Sequence, residues 1–147
     1  MPEKFDMSYI GKDGAEHRPV MLHRTVLGSL ERFMGILIEN YAGAFPYWLA
    51  PTQVKLLPVA EEYMPYTEEV AQKLTACGIR FEVDAREEKL GKKIRDAQLQ
   101  KVPYMLVIGA KEVENKTLAV RERKAGDLGA MTFEQFLEQV GKEFNPL

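Results

Sequence analysis

The chain has 147 residues, 46% hydrophobic and 29% charged, with a formal net charge of −2. That suffices for one ordinary domain plus a smaller piece, and the near-neutral balance excludes a protein that coats nucleic acid through bulk positive charge. The single cysteine, Cys77, excludes an intrachain disulfide.

No apolar run is long enough for a membrane helix, and residues 1–7 carry no signal-peptide pattern, so a reducing, cytoplasmic setting and no membrane partner are expected. Residues 7–10 alternate as a short strand, Gly11-Lys12-Asp13-Gly14 reads as a hairpin turn, and residues 16–23 read as the return strand. The end of that return, Arg18-Pro19-Val20-Met21-Leu22-His23, is an apolar strand closing on a histidine. A two-stranded hairpin is marginal by itself, so these residues are expected to belong to a larger sheet. The first forty or so residues thus read as the end of a domain that begins upstream.

Gly28-Ser29 interrupts the pattern and Glu31-Arg32 opens a helix. Leu27, Leu30, Met34, Leu37, Ile38 and Tyr41 recur at helical spacing, which predicts a buried stripe with Arg32 projecting away from it. A glycine beside a charged pair at a strand-to-helix junction suits a phosphate, because glycine admits the backbone and arginine is a permanent planar cation.

Residues 41–51 hold a glycine, two prolines and four aromatics and read as a linker, with Trp48 expected to be packed. A βα alternation follows. A strand at 54–59 leads to a helix at 62–77, with Val70, Leu74 and Cys77 on one face and Gly78 as its stop. A half-buried strand is expected at 79–84. A helix at 89–99 should turn Leu90, Ile94, Ala97 and Leu99 inward, with Lys89, Lys92, Lys93 and Arg95 on its other faces. Tyr104-Met105-Leu106-Val107-Ile108 is continuously apolar and reads as a central strand. A turn leads to a strand at 117–123 carrying Arg121 and Arg123 on one side. Thr132, with Gln135 three residues on, opens a last helix whose stripe is Phe133, Phe136, Leu137 and Val140. The order fits a three-layer α/β domain on a mixed sheet.

Charge is segregated. Residues 86–124 hold eleven Lys or Arg against six Asp or Glu, so this stretch is basic and the remainder acidic. A local anionic partner would produce that pattern, and so would solvated helix faces.

Two ordered sets of residues carry a family resemblance. Gly28-Ser29-Leu30-Glu31-Arg32 resembles the last signature motif of class II aminoacyl-tRNA synthetases, and the α/β half resembles their appended anticodon-binding domain. His17-Arg18-Pro19-Val20-Met21, Gly43-Ala44-Phe45-Pro46, Trp48-Leu49-Ala50-Pro51 and Val102-Pro103-Tyr104-Met105 resemble, in register, the C-terminal portion of the bacterial threonyl members. The resemblance covers essentially the whole chain. It implies residues 1–46 as the end of a catalytic core and 47–147 as the anticodon-binding domain.

The resemblance also implies roles. In the longer enzyme, threonine is activated with ATP and magnesium and transferred to its tRNA by a homodimer. Arg32 matches the arginine on the ATP phosphates, and Ser29 lies where the adenylate site is lined. His23 matches one ligand of an active-site zinc whose other ligands lie upstream. Glu112 and Arg121 match positions that read anticodon bases, because carboxylates accept from base amino groups and arginine can pair with guanine or stack. Lys89, Lys92, Lys93, Arg95, Lys101 and Arg123 are candidates for phosphates of the anticodon arm, with a solvated helix face the alternative for each lysine and expected for about half of them. Glu87 stands where many bacterial members carry asparagine. The fragment alone is expected to be inactive. A free-standing accessory protein with the same domain is the alternative reading, against which His23 and Arg32 stand.

Overall fold

In a computed structural model that describes residues 1–143, the chain divides into two units, Met1–Ile36 and Leu37–Leu147. In the first, β1 (Tyr9–Ile10) pairs antiparallel with β2 (Glu16–His17), Tyr9 opposite His17. The turn is the expected one. Gly14 sits at φ +74°, and the Asp13 carboxylate accepts from Ala15 N–H at 3.1 Å and lies 2.9 Å from His17 Nε2. The contact with His17 holds the Asp13 carboxyl below its usual range.

The expected strand over residues 18–23 does not form. Extending the ladder would set Met7 against Pro19, which has no N–H to donate. Arg18 instead reaches the Asp6 carboxylate at 2.8 Å. The apolar residues of this stretch stay in water, Val20 at 85% and Leu22 at 89% exposure. Helix α1 (Leu30–Tyr41) forms where predicted, but the predicted buried stripe does not: no residue of this helix is buried, and Leu30, Met34 and Ile38 are exposed.

The second unit is a five-stranded mixed sheet in the order β4-β3-β5-β6-β7. Its parallel part is β3 (Val54–Pro58), flanked by β4 (Phe81–Val83) and β5 (Tyr104–Ile108). The connections are α2 (Met64–Ala76), entered through a 3-10 turn at Glu61–Tyr63, and α3 (Leu90–Leu99). After β5 come α4 (Ala110–Asn115), β6 (Leu118–Glu122), β7 (Gly126–Met131) and α5 (Phe133–Glu143), with β6 antiparallel to both neighbours. Neither α4 nor β7 is foreseen by the sequence reading.

Strand alternation sends side chains to two cores. Val54, Leu56, Tyr104, Leu106, Leu118 and Val120 meet Val70 and Leu74 of α2 and Phe136 and Val140 of α5 on one face. Leu57 and Met105 meet Ala97 of α3 on the other. These are the three layers expected. Helix ends are closed as the sequence predicts. Gly78, at φ +68°, ends α2, with Gly78 N–H on Thr75 O and Ile79 N–H on Leu74 O, both at 3.0 Å. Thr132 and Gln135 form the reciprocal capping box, at 2.9 and 3.3 Å.

Three placements differ from expectation. Cys77 and Leu99 are exposed rather than packed. In the 41–51 segment it is Tyr47, not Trp48, that enters the core, edge-on to Tyr104 at 5.7 Å, while Trp48 is 41% exposed. This segment is held by backbone capture. Arg80 donates to the carbonyls of Trp48 and Ala50 at 2.8 and 2.9 Å, Gln53 donates to that of Tyr47 at 3.0 Å, and Arg123 donates to that of Phe45 at 2.9 Å.

Candidate nucleic-acid interface

From β3 the chain goes to β4 on one side, then crosses to β5 on the other, so the strand order reverses beside β3. In open α/β sheets the crevice beyond the C-terminal strand ends at such a reversal is where ligands bind. Here that crevice has a volume of about 630 Å³, with lips formed by residues 58–61 after β3 and residues 85–89 after β4, and Lys93 among its lining residues.

The second lip is fixed from several directions. Asp84, 4% exposed, accepts Arg86 Nε at 2.8 Å and Nη2 at 2.6 Å. Arg86 also holds Asp96 at 2.9 Å. This guanidinium keeps the Asp84 carboxyl below its ordinary range, and the two carboxylates raise the Arg86 pKa further above its already high value. Lys93, 3% exposed, donates to Pro58 O at 2.9 Å and Asp84 O at 3.1 Å.

The basic segment therefore splits into committed and available cations. Arg86 and Lys93 are committed as described. Lys92 pairs with Glu88 at 2.5 Å. Lys101 donates to Ala42 O. Arg123 donates to Lys101 O at 2.6 Å and to the carbonyls of Ala44 and Phe45. Lys116 lies 3.7 Å from Glu69 and over the Tyr66 ring. Among the described residues, the side chains of Lys89, Arg95, Lys111, Arg121 and Lys124 have neither a hydrogen-bond nor an ion-pair partner. Reading Lys93 as a surface cation is thus corrected: its stem is buried and its ammonium satisfies two strand-end carbonyls. Lys101 and Arg123 likewise act first as straps on the 42–45 backbone.

Arg121 is half-buried and faces the α3 side of the sheet, opposite Met105. The β6–β7 register shifts between Val120 and Arg121, where Val120 faces Gly129 and Arg121 faces Asp127. Such a bulge bends the strand and re-aims nearby side chains. Gly129, at φ +83°, permits it, and the Asp127 carboxylate accepts Gly129 N–H at 2.9 Å. Glu112, in the first turn of α4, returns one carboxylate oxygen to Gly109 N–H at 3.0 Å.

In the first unit, His23 lies in exposed irregular backbone and Arg32 in the first turn of α1, its guanidinium without a hydrogen-bond or ion-pair partner among the described residues. Ser29 Oγ donates to Glu31 at 2.6 Å, which lowers the Glu31 pKa. Arg32 is therefore not spent on Glu31. Zinc requires three or four convergent ligands. Among the described residues no group of three His, Cys, Asp or Glu is placed to hold a metal, so His23 by itself does not make a zinc centre.

The sequence reading missed the Asp84–Arg86–Asp96 network and the two-carbonyl bond of Lys93. A signal was present for the first. Asp84 and Arg86 flank the strand end two residues apart, and Asp96 falls one turn beyond Lys92 on the following helix.

A family model described as "Anticodon binding domain" matches residues 53–143. The chain is 60% identical over 143 residues to a threonine–tRNA ligase of Clostridium botulinum and 61% identical over 140 residues to one of Acetivibrio thermocellus. These matches cover 97% and 95% of this chain and 22% of each relative, so the chain spans about a fifth of their length. The RNA-binding domain of threonyl-tRNA synthetase from Cryptosporidium parvum superposes with a TM-score of 0.77 at 32% identity, covering 99% of this chain and 37% of that one. With the mixed sheet, its crevice and these matches in hand, the chain belongs to the anticodon-binding domain family, and nearly all of it is similar to part of the threonine–tRNA ligases.

Proposed function

We propose that this chain is the anticodon-recognition part of a threonine–tRNA ligase, joined to the end of its catalytic core, with residues 1–46 as the core end and 47–147 as the recognition domain. The observation that carries this reading is 60% identity sustained over 97% of the chain, across both units. The partner is the anticodon arm of a threonine tRNA. Arg121 supplies a paired-donor fork to a base edge, and Glu112 offers its second carboxylate oxygen to a base amino group. Lys89 meets a backbone phosphate, and Lys92 does so by exchanging Glu88 for it. Arg123 contributes mainly by holding residues 44 and 45.

In the longer enzyme, a homodimer in this reading, the carboxylate of threonine attacks the α-phosphate of ATP, the α–β phosphoanhydride bond breaks and pyrophosphate leaves. Arg32, exposed and without an ion-pair partner among the described residues, would stabilise the charge that develops there. Ser29 lines the adenylate pocket. His23 gives one imidazole to a zinc site completed elsewhere, and magnesium accompanies ATP with no residue of this chain assigned to it. The setting is the cytoplasm.

Arg121→Ala tests the recognition claim. It should weaken binding of a threonine anticodon stem-loop by about 1–3 kcal/mol at fixed salt, as loss of a base-reading arginine does. Unchanged affinity would remove Arg121 from the site.

A further inference from the structure

Lys93 is a buried cation that lines a crevice and bonds two carbonyls rather than a carboxylate. Asp84 gives its carboxylate hydrogen bonds to Arg86 and its backbone oxygen to Lys93, whose charge also favours the ionised carboxylate. Burying an ammonium is costly unless its protons are bonded. Beside its charge interaction with Asp84, what the ammonium adds is geometric. Pro58 O belongs to the first lip and Asp84 O lies on the residue just before the second, so one side chain ties the first lip to the root of the second.

The second lip runs directly from this bond to Lys89. Arg86 N–H donates to Asp84 Oδ1 at 3.3 Å and Glu88 N–H to Arg86 O at 2.9 Å. Lys89 O then accepts Lys92 N–H at 2.8 Å and Lys93 N–H at 3.2 Å. The Lys93 ammonium therefore holds the root of the lip at residue 84, and the first-turn backbone bonds of α3 hold its other end at residue 89. Lys89, the exposed cation at the end of that lip, has no partner of its own among the described residues. Its placement depends on the backbone beneath it.

We propose that Lys93 is a positioning residue for RNA binding, whose buried ammonium presets the crevice lips and so presents Lys89 to a backbone phosphate. The proposal rests on the anticodon-arm reading above. Holding the lip before binding avoids the ordering cost that a loose loop would incur on association.

The test compares wild type, Lys89→Ala, Lys93→Met and the double variant, titrated with a threonine anticodon stem-loop over a range of salt. Methionine keeps a long unbranched side chain and removes the donors. Lys93→Met should weaken binding roughly tenfold. Lys89→Ala should lower the salt slope by about one in the wild type and leave it unchanged in the Lys93→Met background. A merely destabilising Lys93→Met would leave the Lys89 effect on the slope intact, and that result overturns the proposal. Amide exchange of Arg86 and Glu88, the lip residues whose N–H groups are bonded, gives a second reading in the wild type that needs no variant. Protection already present without RNA and unchanged with it is expected; protection that appears only on binding contradicts a preset lip. Equal binding by the wild type of this stem-loop and of one with its middle anticodon bases changed, titrated alongside, would instead remove the function on which the proposal stands.

Discussion

Residues 1–36 and residues 37–143 carry similarly apolar stretches with opposite outcomes. Val20, Leu22 and Val26 are 75–89% exposed, whereas Val54, Leu56, Leu57 and Leu106 are fully buried. Hydrophobic pattern states which residues favour burial; it does not supply the surface that buries them. In the second unit each strand finds a neighbour and each sheet face a helix. In the first, the ladder stops at two residue pairs, and Leu30 and Met34 of the α1 stripe face water although the periodicity is sound.

The largest effect expected from this contrast is in the sheet. Leu106→Ala, at the centre of β5, should cost about 2–5 kcal/mol in denaturant unfolding, from lost transfer energy plus the cavity left behind. A cost below about 1 kcal/mol would mean the core tolerates collapse at its centre.

A smaller effect is expected at the clamp of the crevice lip. Asp84→Ala should cost about 2 kcal/mol, less than a fully buried pair because the Arg86 side chain is half exposed and keeps Asp96. The pH dependence follows from the direction of the shift. The folded pKa of Asp84 lies below its ordinary 3.8, so its contribution is complete above that value and is lost as pH falls through the folded pKa. Wild type should therefore lose more stability than Asp84→Ala between pH 5 and strongly acid solution. Parallel acid limbs for the two proteins would contradict the ion pair.

The smallest effect is expected in the first unit. Leu22→Ala should change stability by less than about 0.5 kcal/mol, because the side chain is already in water. A cost comparable to that of Leu106→Ala would show that residue 22 is covered in solution.

Local chemistry made much of the second unit legible. Gly78 and the Thr132–Gln135 pair mark helix ends because their signals lie within a few residues of the bonds they predict. The continuous apolar run at 104–108 marks the central strand for the same reason. β7 is not foreseen because Gly126 and Gly129 disfavour a strand locally, and only its pairing with β6 makes that segment one. Lys93 and Arg123 were read as surface cations because charge on a helix or strand usually faces solvent. Their acceptors, Pro58 O and the carbonyls of Ala44 and Phe45, lie 35 and 78–79 residues away, beyond any local pattern. Arg121 and Glu112 of the proposed site are expectations of the sequence and its resemblance, while the crevice and its clamps required the fold.

The central claim is that this unit reads an anticodon. It is tested most directly by fluorescence anisotropy of the wild-type chain with two stem-loops at one moderate salt concentration, one bearing a threonine anticodon and one with its middle bases changed. Clear preference for the first is predicted, since base-edge contacts discriminate while phosphate contacts do not. Equal binding of the two would leave only charge-driven attraction and would contradict base reading by this chain.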